Sequence, residues 1–368
     1  MLAVSTKDER EQDLAKINQN LKILVPKLLE GYDQRIPSHY PIQLFSMLMV
    51  DHIEELNELE QTLTFHGTML LSWEDRRLVW EPKDYGNLDK ISLSAFEITR
   101  FWVPSVTVKG ITMGRGQIMQ YHNSEYTLRK NGKITAQVQV SLKASCRIDL
   151  RDYPNDNQTC FVLVFTPLYS TSKVTFTGTP SFIASDTFFE NRPTNRTKTA
   201  GFILENLNAQ RFYAYAKGFT TNESEAQTNS MFTNTVVRYQ LLLRRNPCLY
   251  FANVSLPFFC CAIMTFMAAL QQNIRISAVW LAVCLVLQIM ANDRVIEFLP
   301  RDYDSEPFYT KLSKFLLFQT FALLIYRFSM ALQYSKKTTD ISNLQLTENL
   351  VKYALIAEAV IIFWLLFC

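Results

Sequence analysis

The sequence predicts an extracellular all-β sandwich with an N-terminal helix, followed by a four-helix transmembrane bundle. Two observations predict this division. Short runs of alternating apolar and polar residues fill the chain from Pro41 to Arg245, whereas long apolar segments occupy most of the last third. We therefore expect two domains, at residues 1–245 and 246–368 of a chain of 368 residues.

The N-terminal helix is expected over about residues 6–30, because apolar side chains recur there at helical spacing. They are Leu14, Ile17, Leu21 and Leu24. In the sandwich region, residues 134–143 alternate between apolar and polar types, which is typical of a strand with one buried face. The pair Asn131-Gly132 before that segment is a turn signal, so a hairpin is expected there.

Four apolar segments predict transmembrane helices. They lie at about residues 249–270, 276–298, 312–334 and 349–368. The first two have uncharged cores, whereas the third contains Arg327 and the fourth contains Glu358, so each of these alone also fits a buried helix of a soluble domain. Basic residues lie beside the first and third linkers, while the second linker is rich in acids, which places the N-terminal domain outside the cell.

Composition excludes several classes of function. The net charge of +3 is too small to indicate nucleic-acid binding. The four histidines form no group with metal-ligand spacing and accompany no nucleophile motif, so we expect no metal, no cofactor and no enzyme activity. No signal peptide follows Met1, so we expect a mature or engineered chain, in which the short third linker has also been reduced.

Cys146 and Cys160 are the only cysteines before Asn246. A single pair in a polar domain predicts one disulfide in an oxidising compartment, contributing about 3 kcal/mol by loop-closure entropy. The alternative is a pair of reduced thiols buried on adjacent strands. Three N-glycosylation sequons also suit an exported domain. They begin at Asn157, Asn195 and Asn222.

The segment between these cysteines contains Tyr153-Pro154-Asn-Asp156, and further motifs stand at residues 73–80 (Trp-x-Asp-x-x-Leu-x-Trp) and 102–104 (Trp-Val-Pro). Together with Pro257 in the first apolar segment, they resemble the Cys-loop receptors, the pentameric neurotransmitter-gated ion channels, and in particular nicotinic-receptor-like subunits. The resemblance runs from about Tyr32 to the end of the chain.

This resemblance implies a plasma-membrane channel built with four further subunits of the same or a related chain. It also implies a small-molecule agonist, permeant inorganic ions and no nucleic acid. An accessory or silent subunit, which conducts only with partner subunits, is the alternative. The four apolar segments argue against a second alternative, a soluble binding protein with the same sandwich.

The family binds its agonist between subunits in a box of aromatic side chains, which hold an ammonium group by cation-π attraction. By resemblance, Trp73 is the aromatic side chain that the complementary subunit contributes to this box. The alternative is that Trp73 lies in the sandwich core. Trp80 and Trp102 are expected in the core. The principal face would carry Lys109 and the aromatic residues of a long hairpin, which are Tyr215, Phe219 and Phe232. Lysine would repel an amine, so a choline-like agonist of a homopentamer is disfavoured.

Two prolines, Pro257 and Pro300, set the register of the second apolar segment by resemblance. This register turns one set of side chains, which we call the valine face, toward the pore. The valine face consists of Val279, Val283, Val286, Met290, Asp293 and Glu297. The alternative, which follows if Arg275 marks the inner mouth, is the serine-glutamine face. It consists of Ser277, Leu281, Cys284, Gln288 and Asn292. Asp293 and Glu297 favour cations at the outer mouth of the pore, whereas the positive charge of Arg275 argues against cation selectivity.

The family couples ligand binding to the pore through the cysteine loop. By resemblance, the loop tip at Tyr153 and Pro154 rests on the linker after the second helix, and Arg245 pairs with acids such as Asp156 and Glu60. A solvated arginine at the membrane edge is the alternative for Arg245.

Two charges in the apolar segments are expected to meet. Antiparallel packing of the third and fourth helices brings Arg327 and Glu358 to a similar depth, and an unpaired charge in hydrocarbon is costly. We therefore expect them to pair or to share a polar cluster. The alternative is that Arg327 extends to the interface.

Overall fold

A computed structural model describes most of the chain. The described residues are 16–111, 124–153, 155–184, 201–215, 218–223, 231–246, 250, 254–297, 307–336, 349–351, 353, 354 and 357.

The chain begins with helix α1 over residues 16–28. The start of the expected helix, from residue 6, lies outside the described residues. Leu24 and Val25 are buried, whereas Ile23 points to another side of the helix and is exposed. Ile17, two turns before Leu24 and on the same side, is exposed as well. The helix therefore lies with one apolar face against the sandwich.

Among the described residues, twelve strands and two short helical turns follow α1. The strands are β1 Ile42–Asn57, β2 Thr62–Val79, β3 Lys90–Leu93, β4 Thr107–Lys109, β5 Ser124–Arg129, β6 Asn131–Ser145, β7 Asn157–Phe165, β8 Val174–Phe176, β9 Ser181–Ala184, β10 Phe202–Tyr215, β11 Gly218–Thr220 and β12 Asn234–Arg245. The turns are a 3-10 helix, Pro82–Tyr85, and the four-residue helix α2, Ala95–Ile98.

The strands form two sheets. One is a seven-stranded sheet in the order β3-β5-β6-β2-β1-β8, with β9 also paired to β1. The other is a five-stranded sheet in the order β11-β10-β12-β7-β4. Neighbouring strands are antiparallel except for β8 and β9, which run parallel to β1. The all-β sandwich predicted from alternation is therefore what the structure has.

The sandwich core consists of the side chains at alternate strand positions. In β6 these positions are apolar and buried, including Ile134, Val138 and Leu142, while the residues between them face outward. Tyr239 of β12 joins the two sheets, because its hydroxyl donates to Ser46 Oγ at 2.8 Å. Trp80 and Trp102 also lie in this core, as predicted.

The predicted turn at Asn131-Gly132 joins β5 to β6. Gly132 has a positive φ of 79°. A Cβ atom there would also collide with the carbonyl oxygen of Asp75. Both features require glycine at this position.

Three helices follow the sandwich: α3 Leu256–Leu270, α4 Ile274–Glu297 and α5 Phe308–Lys336. Two segments, Ile274–Glu297 and Phe308–Leu332, are long and apolar enough to cross a membrane, and α3 is shorter. Residues 349–351, 353, 354 and 357 are helical, while most of the expected fourth span lies outside the described residues. The described part of the chain thus shows two long apolar helices and not a clear four-helix bundle.

Candidate functional site

Cys146 and Cys160 form a disulfide, with their Cα atoms 4.9 Å apart. Cys146 follows β6 of the seven-stranded sheet, and Cys160 lies in β7 of the five-stranded sheet. The bond therefore links the two sheets at the end of the sandwich next to the helices, where β12 also ends. It closes the cysteine loop, which we define as residues 146–160.

Arg245 lies at the end of β12 next to this loop, and its side chain is completely buried. Its Nε donates to Asp156 Oδ1 at 2.6 Å, and its Nη1 and Nη2 donate to the carboxylate of Glu58 at 2.5 and 2.9 Å. Glu58 thus holds the position that the sequence analysis gave to Glu60. Glu60 lies in the same turn but is exposed, and it pairs with Lys143 at 2.5 Å. The turn after β1 directs the two glutamate side chains differently, so Glu58 and not Glu60 meets Arg245.

Three aromatic rings enclose the guanidinium of Arg245. The ring centroids of Tyr153, Phe202 and Tyr250 lie 4.8, 4.7 and 4.5 Å from its central carbon. We call Arg245, Glu58, Asp156 and these three rings the arginine cage. Burial alone would lower the pKa of Arg245, but its hydrogen bonds to Asp156 and Glu58 outweigh burial and raise that pKa. Arg245 is therefore a permanent buried cation, not a solvated arginine at the membrane edge.

The tip of the cysteine loop contacts the helices directly. Tyr153 is buried and packs edge-on against Tyr250 and against Tyr309 near the start of α5. The amide of Phe308 donates to the carbonyl of Arg151 at 3.2 Å. Burial raises the pKa of Tyr153, so its hydroxyl stays protonated. Pro154 lies outside the described residues.

The predicted ligand residues do not converge on one point. Trp73 is 2% exposed and lies in the sandwich core, on the same face of β2 as Met69 and Leu71. This placement corrects the expectation for Trp73, since a core indole cannot reach a ligand between subunits. The two nearest outward side chains before it on β2 are Thr68 and Leu70, neither of which is aromatic, and His66 is the next.

Lys109 and Phe219 lie on the two edge strands of the five-stranded sheet, β4 and β11. Four strand intervals of about 4.8 Å separate them by about 19 Å. Tyr215 and Phe219 share a hairpin, and Phe232 lies just before β12, which pairs with that hairpin. The three aromatic side chains are exposed, with Phe232 at 83%. The structure brings the aromatics to one end of the sheet and leaves Lys109 apart.

A second cluster of side chains, around Arg211, lies near this hairpin and was not predicted from the sequence. The guanidinium of Arg211 lies 5.6 Å from the ring centroid of Tyr213 and 3.7 Å from the carboxylate of Glu223. Its Nη1 donates to the carbonyl of Phe176 at 3.0 Å. Arg211 and Tyr213 are two residues apart in β10, whereas Phe176 and Glu223 come from other segments, and only the fold shows that these two meet Arg211.

Helix α4 presents two opposite faces. Ser277, Leu281, Cys284 and Gln288 are buried against the other helices, whereas Val279, Val283, Val286 and Met290 are exposed. Gln288 Nε2 donates to Thr265 Oγ1 of α3 at 2.8 Å and to Thr320 Oγ1 of α5 at 2.9 Å. Asn292 Oδ1 accepts from Ser313 of α5 at 2.8 Å. The serine-glutamine face is therefore the packing face of this helix.

Arg275 lies in the first turn of α4 and is exposed. At about 100° per residue it falls within the same arc of about 80° as the six residues of the valine face. The position of Arg275 is therefore compatible with the register in which the valine face lines the pore.

Arg327 is buried and donates to the carbonyl of Ala269 at the end of α3. A cation at a helix C-terminus is favourable because the last carbonyls carry partial negative charge. Glu358, the predicted partner of Arg327, lies outside the described residues.

Two of the three sequon asparagines, Asn157 and Asn222, are exposed, and Asn195 lies outside the described residues. Within the described ranges, no cluster of three or more His, Cys, Asp or Glu residues has the arrangement of a metal site.

Comparison with known proteins agrees with this architecture. The family model for the neurotransmitter-gated ion-channel ligand-binding domain matches residues 21–247. The chain belongs to this family, the Cys-loop ligand-gated ion-channel subunits, which are membrane proteins with an extracellular ligand-binding domain and are not enzymes.

Individual relatives are distant. The chain is 27% identical to "Acetylcholine receptor-like protein cup-4" of Caenorhabditis briggsae over 30% of the chain and 26% of the relative. It is 25% identical to "Acetylcholine receptor subunit alpha-type des-2" of Caenorhabditis elegans over 64% of the chain and 40% of the relative. It is 23% identical to "Neuronal acetylcholine receptor subunit beta-2" of Gallus gallus over 61% of the chain and 40% of the relative. The chain thus matches less than half the length of these relatives.

Proposed function

We propose that this chain is a pore-forming subunit of a pentameric ligand-gated ion channel in the plasma membrane. Residues 1–245 form the extracellular domain, and residues 246–368 form four transmembrane helices, of which the last spans about residues 349–368. Four further subunits, of the same or a related chain, complete the ring. The observation that carries this proposal is the division of α4 into a packed face and an exposed apolar face.

The exposed valine face lines the pore in this proposal. Five copies of Val286 near the middle of the helix form a narrow apolar constriction, which holds the pore closed by excluding water. The exposed acids Asp293 and Glu297 stand at the outer mouth and favour cations there. The packed serine-glutamine face supports this choice, because it is held against α3 and α5 on the side of the helix opposite the valine face.

The ligand binds between extracellular domains, against the exposed aromatics Tyr215, Phe219 and Phe232. The relatives are named acetylcholine receptor subunits, but in this chain Trp73 is buried in the sandwich core and Lys109 lies about 19 Å from the hairpin aromatics. The buried Trp73, which leaves the complementary face without its tryptophan, argues against a choline-like agonist of a homopentamer. We infer an anionic, zwitterionic or lipid-like ligand, or a partner subunit that supplies the missing aromatic face.

The arginine cage and the cysteine loop transmit ligand-induced motion to the pore. Asp156 and Glu58 fix Arg245 at the base of β12, and Tyr153 rests on α5. Because both ends of this path are buried and packed, a displacement of β12 must displace the helices.

Replacing Val286 by Ser tests the proposal. A polar ring at the constriction should wet the pore and produce current without ligand, and surface labelling should show normal export. Leu287→Ser is the matched control, because Leu287 lies at the same depth but about 100° around the helix. Reversal potentials in exchanged sodium and chloride solutions then identify the permeant ion.

Three results are informative. Current from Val286→Ser alone supports a homomeric channel with a valine gate. Equal current from Leu287→Ser contradicts the assignment of the pore face. Silence of the labelled surface protein favours the second candidate, an accessory subunit, which the absence of an outward aromatic at Thr68 and Leu70 supports. Co-expression with an acetylcholine receptor subunit should then alter the partner's current.

A further inference from the structure

Arg275 adds a positive charge to the cytoplasmic end of the valine face. It precedes Val279 by one helical turn and Val286 by three turns, and its side chain is exposed. The amide of Arg275 donates to Asn273 Oδ1 at 3.3 Å, which places it at the very start of the helix. A ring of subunits would therefore carry a ring of arginines at its inner mouth.

The rotation of this end of α4 is fixed by contacts on its opposite side. Ser277 is fully buried, and its hydroxyl donates to the carbonyl of Ala268 at 2.7 Å. Arg327 donates to the next carbonyl, that of Ala269. Because Ser277 lies about 160° around the helix from Arg275, anchoring Ser277 against α3 turns Arg275 away from the bundle.

The outer end of the same face carries the opposite charge. Asp293 and Glu297 are exposed and lie about 27 and 33 Å farther along the helix than Arg275, at 1.5 Å per residue. This distance exceeds the Debye length of about 8 Å at physiological salt, so the two ends do not neutralise each other. Arg294, the other arginine of α4, lies about 80° around the helix from Val286.

We propose that these opposite charges make the pore an inward rectifier, with Arg275 as the determining residue. The inference rests on the proposed function, since it requires the valine face to line the pore. When the cell interior is negative, cations enter past the acids and anions enter past the arginines, so both accumulate near Val286. When the interior is positive, each type of ion must enter past a ring of its own sign, and the middle of the pore is depleted.

The experiment uses the full chain with Val286→Ser as the conducting background. Currents are recorded from excised patches in symmetrical sodium chloride, without magnesium or polyamines on either side, at equal positive and negative potentials. One unit charge about 6 Å away changes the local ion concentration about threefold in water. The inward current should therefore exceed the outward current by at least about threefold.

Substitutions assign the effect to one side chain. Arg275→Gln should give a nearly linear current-voltage relation, while Arg275→Lys, which keeps the charge, should retain rectification. Arg294→Gln is the matched control and should leave rectification intact. Surface labelling of each variant excludes a loss of export.

The outcomes separate this inference from the proposed function. A linear relation in the Arg275-containing channel, or equal loss of rectification in Arg294→Gln, overturns the inference and leaves the channel assignment standing. Silence of Val286→Ser at the surface overturns the homomeric pore, and the inference with it. Rectification that depends on Arg275 but survives Arg294→Gln supports the inference.

Discussion

Arg245 is held by the carboxylates of the buried Asp156 and the partly buried Glu58, whereas a third acid nearby lies at the surface and should contribute less to stability. Asp156 comes from the cysteine loop and Glu58 from the turn after β1, so the guanidinium connects three separate segments. Removing one acid leaves a buried cation only partly compensated, which is costly. The neighbouring acid Glu60 is 57% exposed and pairs with Lys143 at the surface, where ion pairs contribute little.

This difference gives a matched test with two substitutions two residues apart. Glu58→Gln should lower the free energy of unfolding by about 2 to 3 kcal/mol, because a hydrogen-bonded charge is lost at a buried cation. Glu60→Gln should change it by less than about 0.5 kcal/mol. Thermal unfolding of the detergent-purified full chain measures both. A larger effect at Glu60 would restore the assignment made from sequence and contradict the geometry of the arginine cage.

Asp75 is a second buried charge, within the motif at residues 73–80. Arg77 donates to both of its carboxylate oxygens, at 2.9 and 2.7 Å, and the hydroxyl of Tyr32 donates to Oδ2 at 2.7 Å. Burial by itself would raise the pKa of Asp75, but these hydrogen bonds together lower it below its ordinary value. Tyr32 in turn accepts from the amide of Trp102 at 2.9 Å, so the segment after α1, strand β2 and the segment before β4 meet at this cluster.

A lowered pKa in the folded state has a defined pH signature. The stabilisation from Asp75 is fully present above its unfolded pKa of about 3.9, and it is lost as pH falls through the folded pKa. Asp75→Asn should therefore be less stable than the parent by about 2 to 3 kcal/mol at neutral pH. The difference should shrink in acid, as measured by thermal unfolding at pH values from about 7 to 3.

Glu74→Gln is the control for this pH experiment, because Glu74 is adjacent to Asp75 but exposed. Its unfolding curve should follow that of the parent at every pH. A difference between parent and Asp75→Asn that does not change with pH would show that the carboxylate charge is not what stabilises the cluster.

At the level of elements, α4 is joined to both neighbouring helices by one amide. Gln288 donates to Thr265 and Thr320, and each threonine hydroxyl donates to a carbonyl one turn earlier in its own helix. The threonines therefore keep a hydrogen bond if the amide is removed. Within the described part of the protein, Gln288 Oε1 has no hydrogen-bond partner.

Two substitutions separate packing from hydrogen bonding at this position. Gln288→Leu should lower the free energy of unfolding by less than about 1 kcal/mol, since interhelical hydrogen bonds in membranes contribute about that much or less. Gln288→Ala leaves a cavity as well and should cost about 2 kcal/mol or more. Thermal inactivation of the purified protein compares them. Equal losses would mean that the amide, not the volume, holds the three helices together.

For the whole molecule, the periodic features were predictable from sequence and the face-specific ones were not. Alternation located the sandwich, apolar length located α4 and α5, and the isolated cysteine pair predicted the disulfide. A motif does not show which way its residues point, so Trp73 was assigned to a subunit surface although it belongs to the core. Its alternate neighbours Met69 and Leu71 are apolar, and this period of two was the available signal.

Contacts between distant segments were also beyond the sequence. Glu58 and Glu60 are both acids in the same turn, and only the geometry of that turn decides which one meets Arg245. The aromatic walls of the arginine cage come from the cysteine loop, from β10 and from the chain before α3. No periodicity relates such positions, because their proximity arises from the packing of the sandwich on the helices.

The disulfide between β6 and β7 determines how the sandwich can deform. It fastens the two sheets together at the end next to the helices, whereas the exposed hairpin of Tyr215 and Phe219 lies at the far end of the same five-stranded sheet. Because one end is covalently linked, we expect the five-stranded sheet to rotate about the Cys146–Cys160 bond instead of sliding along the other sheet. A large displacement of the hairpin then becomes a small displacement at Tyr153, which is close to that bond.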